Sequence, residues 1–387
     1  MNSTDLDTFR AETRAWLEAN CPTEMRDGVR NEETICWGGR NWEFISDAQR
    51  DWLNVMAAKG WTVPTWPVEY GGAGMDRAHD KILSEELVRL KARLPLQSFG
   101  IWMLGPALLA FGSHEQKLQY LPPIARGEVR WCQGYSEPGA GSDLASVQTK
   151  ADSDGDDYIV NGQKVWTSYA DKADCIFALV RTDRDAKKHL GISFLLIDMD
   201  SKGVSTKPIR LISGSSPFCE TFFDDVRVPK TNVVGTEHRG WDVAKHLLTH
   251  EREMISGGGA GLLGSRALGA ILEETGGKMD ASTRAEALIC EVDALAIGLT
   301  LERYKDQAEA GGGVGDASAM LKYQGTELNK RRHELLMSAG GSEALTWDGT
   351  HDGLAADWLR TKANSIEGGT SEVMLSIVSR RILGLPG

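Results

Sequence analysis

The sequence predicts an α+β protein that is mainly helical, with a small β region between two helical parts. Residues 1–125 carry apolar side chains at helical spacing, joined by polar loops. Residues 131–235 instead carry short apolar runs bounded by turn residues, which is typical of strands. Helical spacing returns after Gly240. We therefore expect three domains, at 1–125, 126–235 and 236–387.

The N-terminal part reads as helices joined by loops. Leu83, Leu87, Leu90 and Leu94 follow a spacing that predicts one face of a helix within residues 80–94. Residues 63–74 are interrupted by several Pro and Gly residues, which predicts a loop.

The β region begins near Trp131. Asn161-Gly162 between two apolar runs predicts a hairpin with a type I′ turn, because both residues tolerate positive φ. Further strands are expected at 175–180, 192–197, 221–223 and 226–229.

The C-terminal part is predicted to be helical up to Arg381, with a Gly-rich break at 311–315. Gly368-Gly369-Thr370 precedes an apolar-periodic stretch formed by Val373, Ile377 and Val378, which predicts a helix N-terminus capped by Thr370. The free N–H groups there would favour a phosphate.

Composition places the chain among globular proteins. Its 387 residues can bury a large core, and 41% hydrophobic with 25% charged residues is typical of a folded chain. The net charge of −12 argues against binding along a nucleic-acid backbone, although a few local cations could still bind a small anion. No apolar run approaches the roughly 18 residues that span a bilayer.

The N-terminus and the cysteines predict a cytoplasmic protein. Met1 to Asn20 lacks the apolar stretch of a secretory signal and carries acidic residues that a mitochondrial transit peptide avoids. The six cysteines are far apart without a Cys-x-x-Cys pair, which suits a reducing compartment and gives no sign of a zinc site. They are Cys21, Cys36, Cys132, Cys175, Cys219 and Cys290.

Three motifs carry a family resemblance. The first is Tyr135-Ser-Glu-Pro-Gly-Ala-Gly-Ser-Asp143 with Asn161-Gly-Gln-Lys-Val-Trp-Thr-Ser168; the second is His250-Glu-Arg-Glu253; the third is Ile366-Glu-Gly-Gly-Thr-Ser-Glu372 with Arg381-Ile-Leu-Gly-Leu-Pro386. In order and spacing they resemble the acyl-CoA dehydrogenases over essentially the whole chain. The resemblance implies an N-terminal helical domain, a central β-barrel-like domain and a C-terminal four-helix-bundle domain, with FAD as cofactor.

The resemblance also implies the residues of the site. Contacts with FAD would come from Tyr135, Ser136, Gly141, Trp166, Ser168, Gly340, Gly341, Thr370 and Glu372. Contacts with the acyl-CoA would come from Ser142, Arg252 and Gly368. Arg252 could equally form a salt bridge with a nearby carboxylate.

The chemistry of the first motif agrees with these roles. Gly139 and Gly141 would let backbone approach a ligand closely, and the hydroxyls of Ser136, Ser142 and Ser168 can donate hydrogen bonds to ring heteroatoms or a thioester. The alternative is a Gly-rich β turn with Trp166 in the core.

The resemblance implies α,β-dehydrogenation of an acyl-CoA. This reaction needs a carboxylate whose pKa is raised by partial desolvation, so that it can take the proton from the α-carbon. In the family this carboxylate lies either just before the Gly-Thr of the third motif or in a Glu-Arg pair on an earlier helix. The first position here is Gly368, whereas Glu251-Arg252 matches the second.

Helix geometry independently favours Glu251. Its neighbours at three and four residues are all apolar, whereas those of Glu253 are small or polar. A carboxylate on an apolar stripe is costly without a purpose or a partner. The main rival is Glu367, next to Gly368; the simpler interpretation of Glu367 is a solvated loop carboxylate, and we prefer it.

Two further patterns are weaker. Residues 259–264 match the dinucleotide fingerprint Gly-x-Gly-x-x-Gly, but they follow a helical stretch instead of a strand, so close helix packing explains them better. His246 and His250 have the spacing of a zinc pair but lack the motif order and a third ligand, so no metal is expected.

The sequence departs from the family where FAD would contact a neighbouring subunit. Residues 272–279 lack the usual Arg-x-x-Phe-Gly segment, and Met337 replaces a Gln shortly before Gly340-Gly341. The pattern resembles a bacterial branch that acts on bulky, alicyclic, steroid-derived or dicarboxylic thioesters, some of whose members assemble from two different subunits.

These features predict an FAD-dependent dehydrogenase that converts an acyl-CoA to the trans-2-enoyl-CoA, with Glu251 taking the α-proton and flavin N5 accepting the β-hydride. The resemblance implies an electron-transfer flavoprotein as acceptor and a homotetramer, or a heterotetramer with a related subunit. One alternative is an FAD-poor or non-catalytic subunit of a heteromeric dehydrogenase; another is an oxygen-using oxidase or monooxygenase. Glu251 argues against both alternatives.

Overall fold

A computed structural model describes residues 3–28, 34–257, 280–309, 315–347 and 353–386, excluding the side chains of 3, 4, 249–257, 305, 308 and 309. The chain separates into two compact units. The first consists of Met1–Ala140, Ala145–Lys207 and Cys219–Leu247, and the second of Gly141–Leu144, Pro208–Phe218 and Leu248–Gly387.

The α-helices within the described ranges are α1 (Ser3–Asn20), α2 (Asp47–Ala58), α3 (Arg77–Arg89), α4 (Gly105–Phe111), α5 (His114–Ala125), α6 (Gly240–Gly257), α7 (Ala281–Glu309), α8 (Ala317–Gly340), α9 (Leu354–Thr361) and α10 (Ser371–Ile377). The strands are β1 (Trp131–Gly134), β2 (Lys150–Asp154), β3 (Asp157–Ser168), β4 (Cys175–Arg181), β5 (Ile192–Asp198), β6 (Val204–Ile209) and β7 (Phe218–Pro229). A π-helical turn, Gly100–Leu104, leads into α4.

The N-terminal helices bury their apolar faces against one another. Leu17 of α1, Trp52 of α2 and Leu83 of α3 share one core. The helix expected at 80–94 ends earlier, at Arg89. Lys91 has a φ of 55°, which is incompatible with a right-handed helix, so Leu94 lies outside the helix. The loop expected at 63–74 is confirmed, apart from the 3-10 turn Val68–Tyr70.

The central strands form one sheet in the order β1-β4-β2-β3-β7-β6, with β5 paired to β4. β4 lies parallel to β1 and antiparallel to β5. Every residue of β4 is buried, as is every residue of β5 up to Ile197, which confirms the two strands expected from continuous apolar runs. The two short strands expected at 221–223 and 226–229 are one strand, β7.

The hairpin predicted at Asn161-Gly162 is wrong. Both residues lie inside β3, and the two-residue turn is at Gly155-Asp156, where β2 and β3 meet antiparallel. Instead of turning, Asn161 bonds across the sheet to Asp225 through its amide nitrogen and oxygen, each at 3.0 Å. Gly162 has a φ of 152°, and a Cβ there would lie 2.6 Å from the Thr149 hydroxyl, so packing explains the glycine.

The C-terminal part is helical. α7 and α8 pack through an apolar core that includes Cys290, Leu328 and Leu335. The Gly-rich break expected near 311 falls mostly outside the described residues, as does the 259–264 segment. The predicted fold class is confirmed: an N-terminal helical domain, a central curled sheet and a C-terminal helical domain. Among the described helices, none is long and apolar enough to cross a membrane.

Candidate active site

The segment after β1 folds into a tight turn. Glu137 and Ala140 exchange two backbone hydrogen bonds, each 3.0 Å long. The carbonyl of Ser136, just before the turn, accepts a 2.9 Å hydrogen bond from the Val165 N–H in β3. The two stretches of the first motif that lie in the first unit are therefore side by side.

Gly139 and Gly141 are exposed, and nothing in the described chain requires glycine at either position. Neither has a positive φ, and a Cβ built on either would meet no described atom within 4 Å. The open space around both leaves room for a ligand to lie directly against the backbone. Ser142, which follows Gly141 in the second unit, is also exposed.

Ser168 lies between two residues with strained backbone. Trp166 and Tyr169 have φ values of 60° and 52°, in the left-handed region that bulky residues rarely adopt. The side chain of Trp166 is 54% exposed, so its alternative placement in the core is wrong. Such strain costs about 1–3 kcal/mol per residue and concentrates at ligand sites.

A buried ion pair lies beneath the first motif. The Lys164 ammonium, fully buried, donates to Glu137 Oε1 at 2.7 Å. Burial lowers the pKa of Lys164, although Glu137 opposes this. For Glu137, burial would raise the pKa, but Lys164 and the hydrogen bonds from Thr149 and Gln148 outweigh it and lower the pKa. Each group thus offsets part of the cost of burying the other.

The third motif forms a glycine turn followed by a capped helix. Gly368 and Gly369 have φ values of 64° and 99°, which suit glycine. The Thr370 hydroxyl accepts a 3.3 Å bond from Val373 N–H at the start of α10, which confirms the predicted cap. The carboxyl of Glu372 accepts hydrogen bonds from its own N–H and from Thr370, and both lower its pKa.

Lys322 of α8 binds this turn through hydrogen bonds to its backbone. Its ammonium is 1% exposed and donates to the carbonyls of Asn364 at 2.9 Å and Gly369 at 2.8 Å. Burial lowers the pKa of Lys322, while Glu367 and Glu327 oppose this through Coulomb attraction. Among the residues that the structure describes, no carboxylate forms a salt bridge with it, so its hydrogen bonds go to the turn.

Glu367 is held in place, which differs from the solvated loop carboxylate expected from the sequence. Arg360 forms a forked contact with both of its oxygens, at 2.8 and 3.2 Å. Asn364 donates to Oε1 at 2.6 Å. The carboxylate is only 33% exposed. Moving Glu367 to a substrate would require breaking all three hydrogen bonds.

The second motif lies on α6. Glu251 and Arg252 are within this helix, but their side chains, like that of His250, lie outside the described ones. Leu247, one turn before Glu251, is fully buried. The ring of His246 meets Phe111 edge-to-face at 5.5 Å.

The Gly-Gly pair closes α8. Gly340 is its last residue, and a Cβ there would lie 2.7 Å from the Ala344 side chain, so packing within the second unit already requires glycine. Gly341 has a φ of 57° and open space around it. Met337 is half-buried one turn earlier. Residues 272–279 lie outside the described part of the chain.

Sequence reasoning missed the supporting residues Glu137, Lys164, Lys322 and Arg360. Lys164 had a usable signal, because it lies in phase with the inward residues Tyr158 and Val160 of β3. Lys322 had none, since the carbonyls that it binds belong to residues more than forty positions away.

The described part of the first unit also contains a cavity of about 540 Å³. It lies between the end of α4 and the start of α6, and Arg239 and Asp242 in its lining are paired with each other at 2.6 Å. None of the residues predicted for the site lines it, so it does not define the site.

Comparison with known proteins gives the family. The chain matches models of the acyl-CoA dehydrogenase N-terminal domain over residues 3–128, the middle domain over 132–226 and the C-terminal domain over 238–383. The acyl-CoA dehydrogenase IpdE1 of Mycobacterium tuberculosis is 37% identical over 387 residues, covering 99% of this chain and 98% of the relative.

Solved structures agree. A steroid acyl-CoA dehydrogenase described as Tcur3481-Tcur3483, in its G363A variant, superposes with a TM-score of 0.78 at 28% identity and covers 100% of both chains. The ChsE4-ChsE5 complex from Mycobacterium tuberculosis superposes with a TM-score of 0.75 at 30% identity, covering 100% of this chain and 99% of that chain. The chain belongs to the acyl-CoA dehydrogenase family of FAD-dependent oxidoreductases.

Proposed function

We propose that the protein catalyses α,β-dehydrogenation of an acyl-CoA thioester to the trans-2-enoyl-CoA, with Glu251 abstracting the α-proton. The choice of base rests on the two residues of the third motif at positions 367 and 368. Position 368 is a glycine, and the neighbouring Glu367 is bound by Arg360 and Asn364. This leaves Glu251, whose helix α6 is buried at Leu247 one turn earlier.

The residues of the first unit fit FAD. Exposed Trp166, the strained backbone on both sides of Ser168, and the unexplained glycine at 139 are what a flat ring packed on backbone would need. Tyr135, Ser136, Gly141, Trp166 and Ser168 would contact the ring, and Gly340, Gly341, Thr370 and Glu372 would also contact the cofactor. When bound, FAD supplies the acceptor for the hydride that leaves the β-carbon.

Three residues are assigned to the CoA thioester. Ser142 would donate to the CoA portion, and the Arg252 guanidinium would bind its nucleotide phosphates. Gly368, which has no side chain, would leave room at the thioester and offer its backbone N–H. The acyl group is proposed to be bulky, alicyclic, steroid-derived or dicarboxylic; the steroid acyl-CoA dehydrogenase among the similar structures supports the steroid-derived member of this class.

The assembly is proposed to be a homotetramer, or a heterotetramer with a related subunit. Two similar structures are described as pairs of differently named chains, which supports the second form. The alternative function is an FAD-poor or non-catalytic subunit of such a complex. Met337 in place of the usual Gln, and a 272–279 segment without its Arg and Phe-Gly, favour this alternative.

The physiological acceptor is proposed to be an electron-transfer flavoprotein and the compartment the cytoplasm. All six cysteines are free and buried, which supports a reducing environment. The division into domains at 1–125, 126–235 and 236–387 belongs to the same proposal.

The first test is the visible spectrum of the chain expressed alone, before and after anaerobic addition of acyl-CoAs. The panel should contain a straight-chain, a branched, a dicarboxylic and a steroid side-chain thioester. A flavin spectrum that bleaches with one class supports a self-sufficient dehydrogenase and identifies that class. A colourless protein that becomes yellow only with a co-expressed related subunit would support the alternative.

The base is tested by comparing Glu251→Gln with Glu367→Gln. We expect Glu251→Gln to lower the rate of bleaching by at least about a thousandfold while FAD stays bound, because no other group takes the α-proton. The second should retain activity within about tenfold. The reverse order of effects would assign the base to Glu367.

A further inference from the structure

We propose that the buried pair Glu137–Lys164 is a positioning device for the flavin ring, fixing the Ser136 hydroxyl relative to the end of β3 that carries Trp166 and Ser168. This rests on the proposed function, since those three residues are assigned to the ring there. Neither member of the pair is exposed enough to contact the cofactor itself.

The Lys164 ammonium ties three segments together. It donates to the Tyr135 carbonyl at 3.3 Å, to Glu137 Oε1 at 2.7 Å and to the Leu179 carbonyl in β4 at 2.6 Å. An ammonium has three N–H donors, so all of them are used. The residues on both sides of Ser136 are therefore bound by one side chain.

The Glu137 carboxylate extends this connection. Oε2 accepts from the Gln148 N–H at 2.6 Å and Oε1 from the Thr149 N–H at 2.9 Å, both just before β2. The carboxylate is 7% exposed, and its bond from the Lys164 ammonium is charge-assisted. It thus joins the turn at 137–140 to the segment that leads into β2.

Backbone contacts complete the geometry. Val165 N–H bonds the Ser136 carbonyl at 2.9 Å, so Ser136 is held by its own carbonyl and by both neighbours. Lys164 and Val165 directly precede Trp166, and the strained φ of Trp166 persists only if the surrounding structure holds it. Loss of the ion pair would release Ser136 and Trp166 together.

A buried ion pair by itself is weak support for stability, because desolvating two charges offsets most of their attraction. Replacing a buried ion pair by apolar residues of similar volume is often neutral for stability. What an apolar pair cannot supply is three directed hydrogen bonds that set the position of the Ser136 backbone. The cost of burying these charges is therefore better explained by positioning than by folding.

The experiment compares Glu137→Gln with Glu86→Gln in the full chain, with its partner subunit if assembly requires one. Glu86 is a matched control, since it is also buried, ion-paired and in the first unit, but lies on α3, outside every motif. Three quantities are measured for each: melting temperature, FAD dissociation constant by fluorescence titration, and flavin absorption spectrum with midpoint potential.

We expect Glu137→Gln to weaken FAD binding roughly tenfold or more and to shift the flavin spectrum and potential, by analogy with metal sites, where loss of a ligand's hydrogen-bond partner costs about 10–100-fold in affinity. Glu86→Gln should lower the melting temperature with FAD affinity within about twofold of the wild type. Equal effects of the two variants on FAD would overturn the inference.

A double variant covers the case in which Glu137→Gln does not fold. Replacing both members, Glu137→Met with Lys164→Met, removes the charges without leaving one unpaired, and such apolar replacements often preserve stability. We expect a folded protein with weakened FAD binding, and unaltered FAD binding would overturn the inference. A wild-type protein that binds no FAD, even with a partner, would overturn the proposed function as well.

Discussion

Glu86 connects the first helix to the rest of the N-terminal domain, and replacing it should weaken that connection measurably. Its side chain is 2% exposed on α3. Arg14 of α1 forms a forked contact with both oxygens at 2.9 Å, Arg89 donates at 2.6 Å and Arg10 at 3.3 Å. The bonds from Arg14, followed by those from Arg89 and Arg10, outweigh burial and lower the pKa of Glu86 to about 2.

The size of the effect follows from this shift. The pKa falls from its ordinary value of 4.5 to about 2, and at about 1.4 kcal/mol per pKa unit this corresponds to about 3–4 kcal/mol of stabilisation by the ionised carboxylate. The three arginines are 36–46% exposed, so solvent screening reduces the expected contribution to about 2 kcal/mol. We expect Glu86→Gln to lower the free energy of opening of α1 by this amount at pH 7.

The pH dependence has a definite sign. Because the folded-state pKa is depressed, the stabilisation is fully present above about pH 5 and is lost as the pH falls through 4.5 towards 2. At pH 3.5 roughly three-fifths of it should remain. The difference between wild type and Glu86→Gln should therefore shrink as the pH falls.

The assay is amide hydrogen exchange of α1 at pH 7 and pH 3.5, which reports local opening without assuming two-state unfolding of the whole chain. The matched control is Glu85→Gln, because Glu85 is 43% exposed and, among the described residues, forms a salt bridge with Arg10 only, at 2.6 Å. That variant should change the opening free energy by less than about 0.5 kcal/mol. Equal protection in all three proteins, or a difference that grows at low pH, would refute the reasoning.

Three further predictions concern the turns and strands of the site. Lys322→Met should lower kcat/KM roughly tenfold, because the turn at Gly369 loses its support. Lys330→Met on the same helix should not lower it, and steady-state kinetics of both variants test this. Trp166→Asn should leave the melting temperature unchanged or higher, since Asn tolerates the left-handed region, yet weaken FAD binding in a fluorescence titration; unchanged affinity would contradict the role of the ring. Gly162→Ala should destabilise the protein by about 2 kcal/mol or more in thermal unfolding, because the new Cβ would collide with Thr149.

Local patterns predicted the elements whose formation depends on neighbours in sequence. The buried strands β4 and β5 follow from continuous apolar runs, and the Thr370 cap follows from a hydroxyl that precedes a periodic stretch. The prediction of a hairpin at Asn161-Gly162 was wrong because contacts between residues far apart in sequence override the local pattern. Its turn propensity is real, but cross-strand bonds to Asp225 keep the segment extended, and those bonds are invisible in a local window.

The order of the helices and strands, and the family, were determined by the sequence itself, because periodicity and short motifs are written in adjacent residues. The tertiary structure alone decided which carboxylates are bound and which lysines are buried. Glu367 is ion-paired because the fold places Arg360 next to it, and the Lys322 ammonium donates to the carbonyls of Asn364 and Gly369. The physical reason is that burial and hydrogen bonding are set by groups far apart in the chain, whereas propensity is set by near ones.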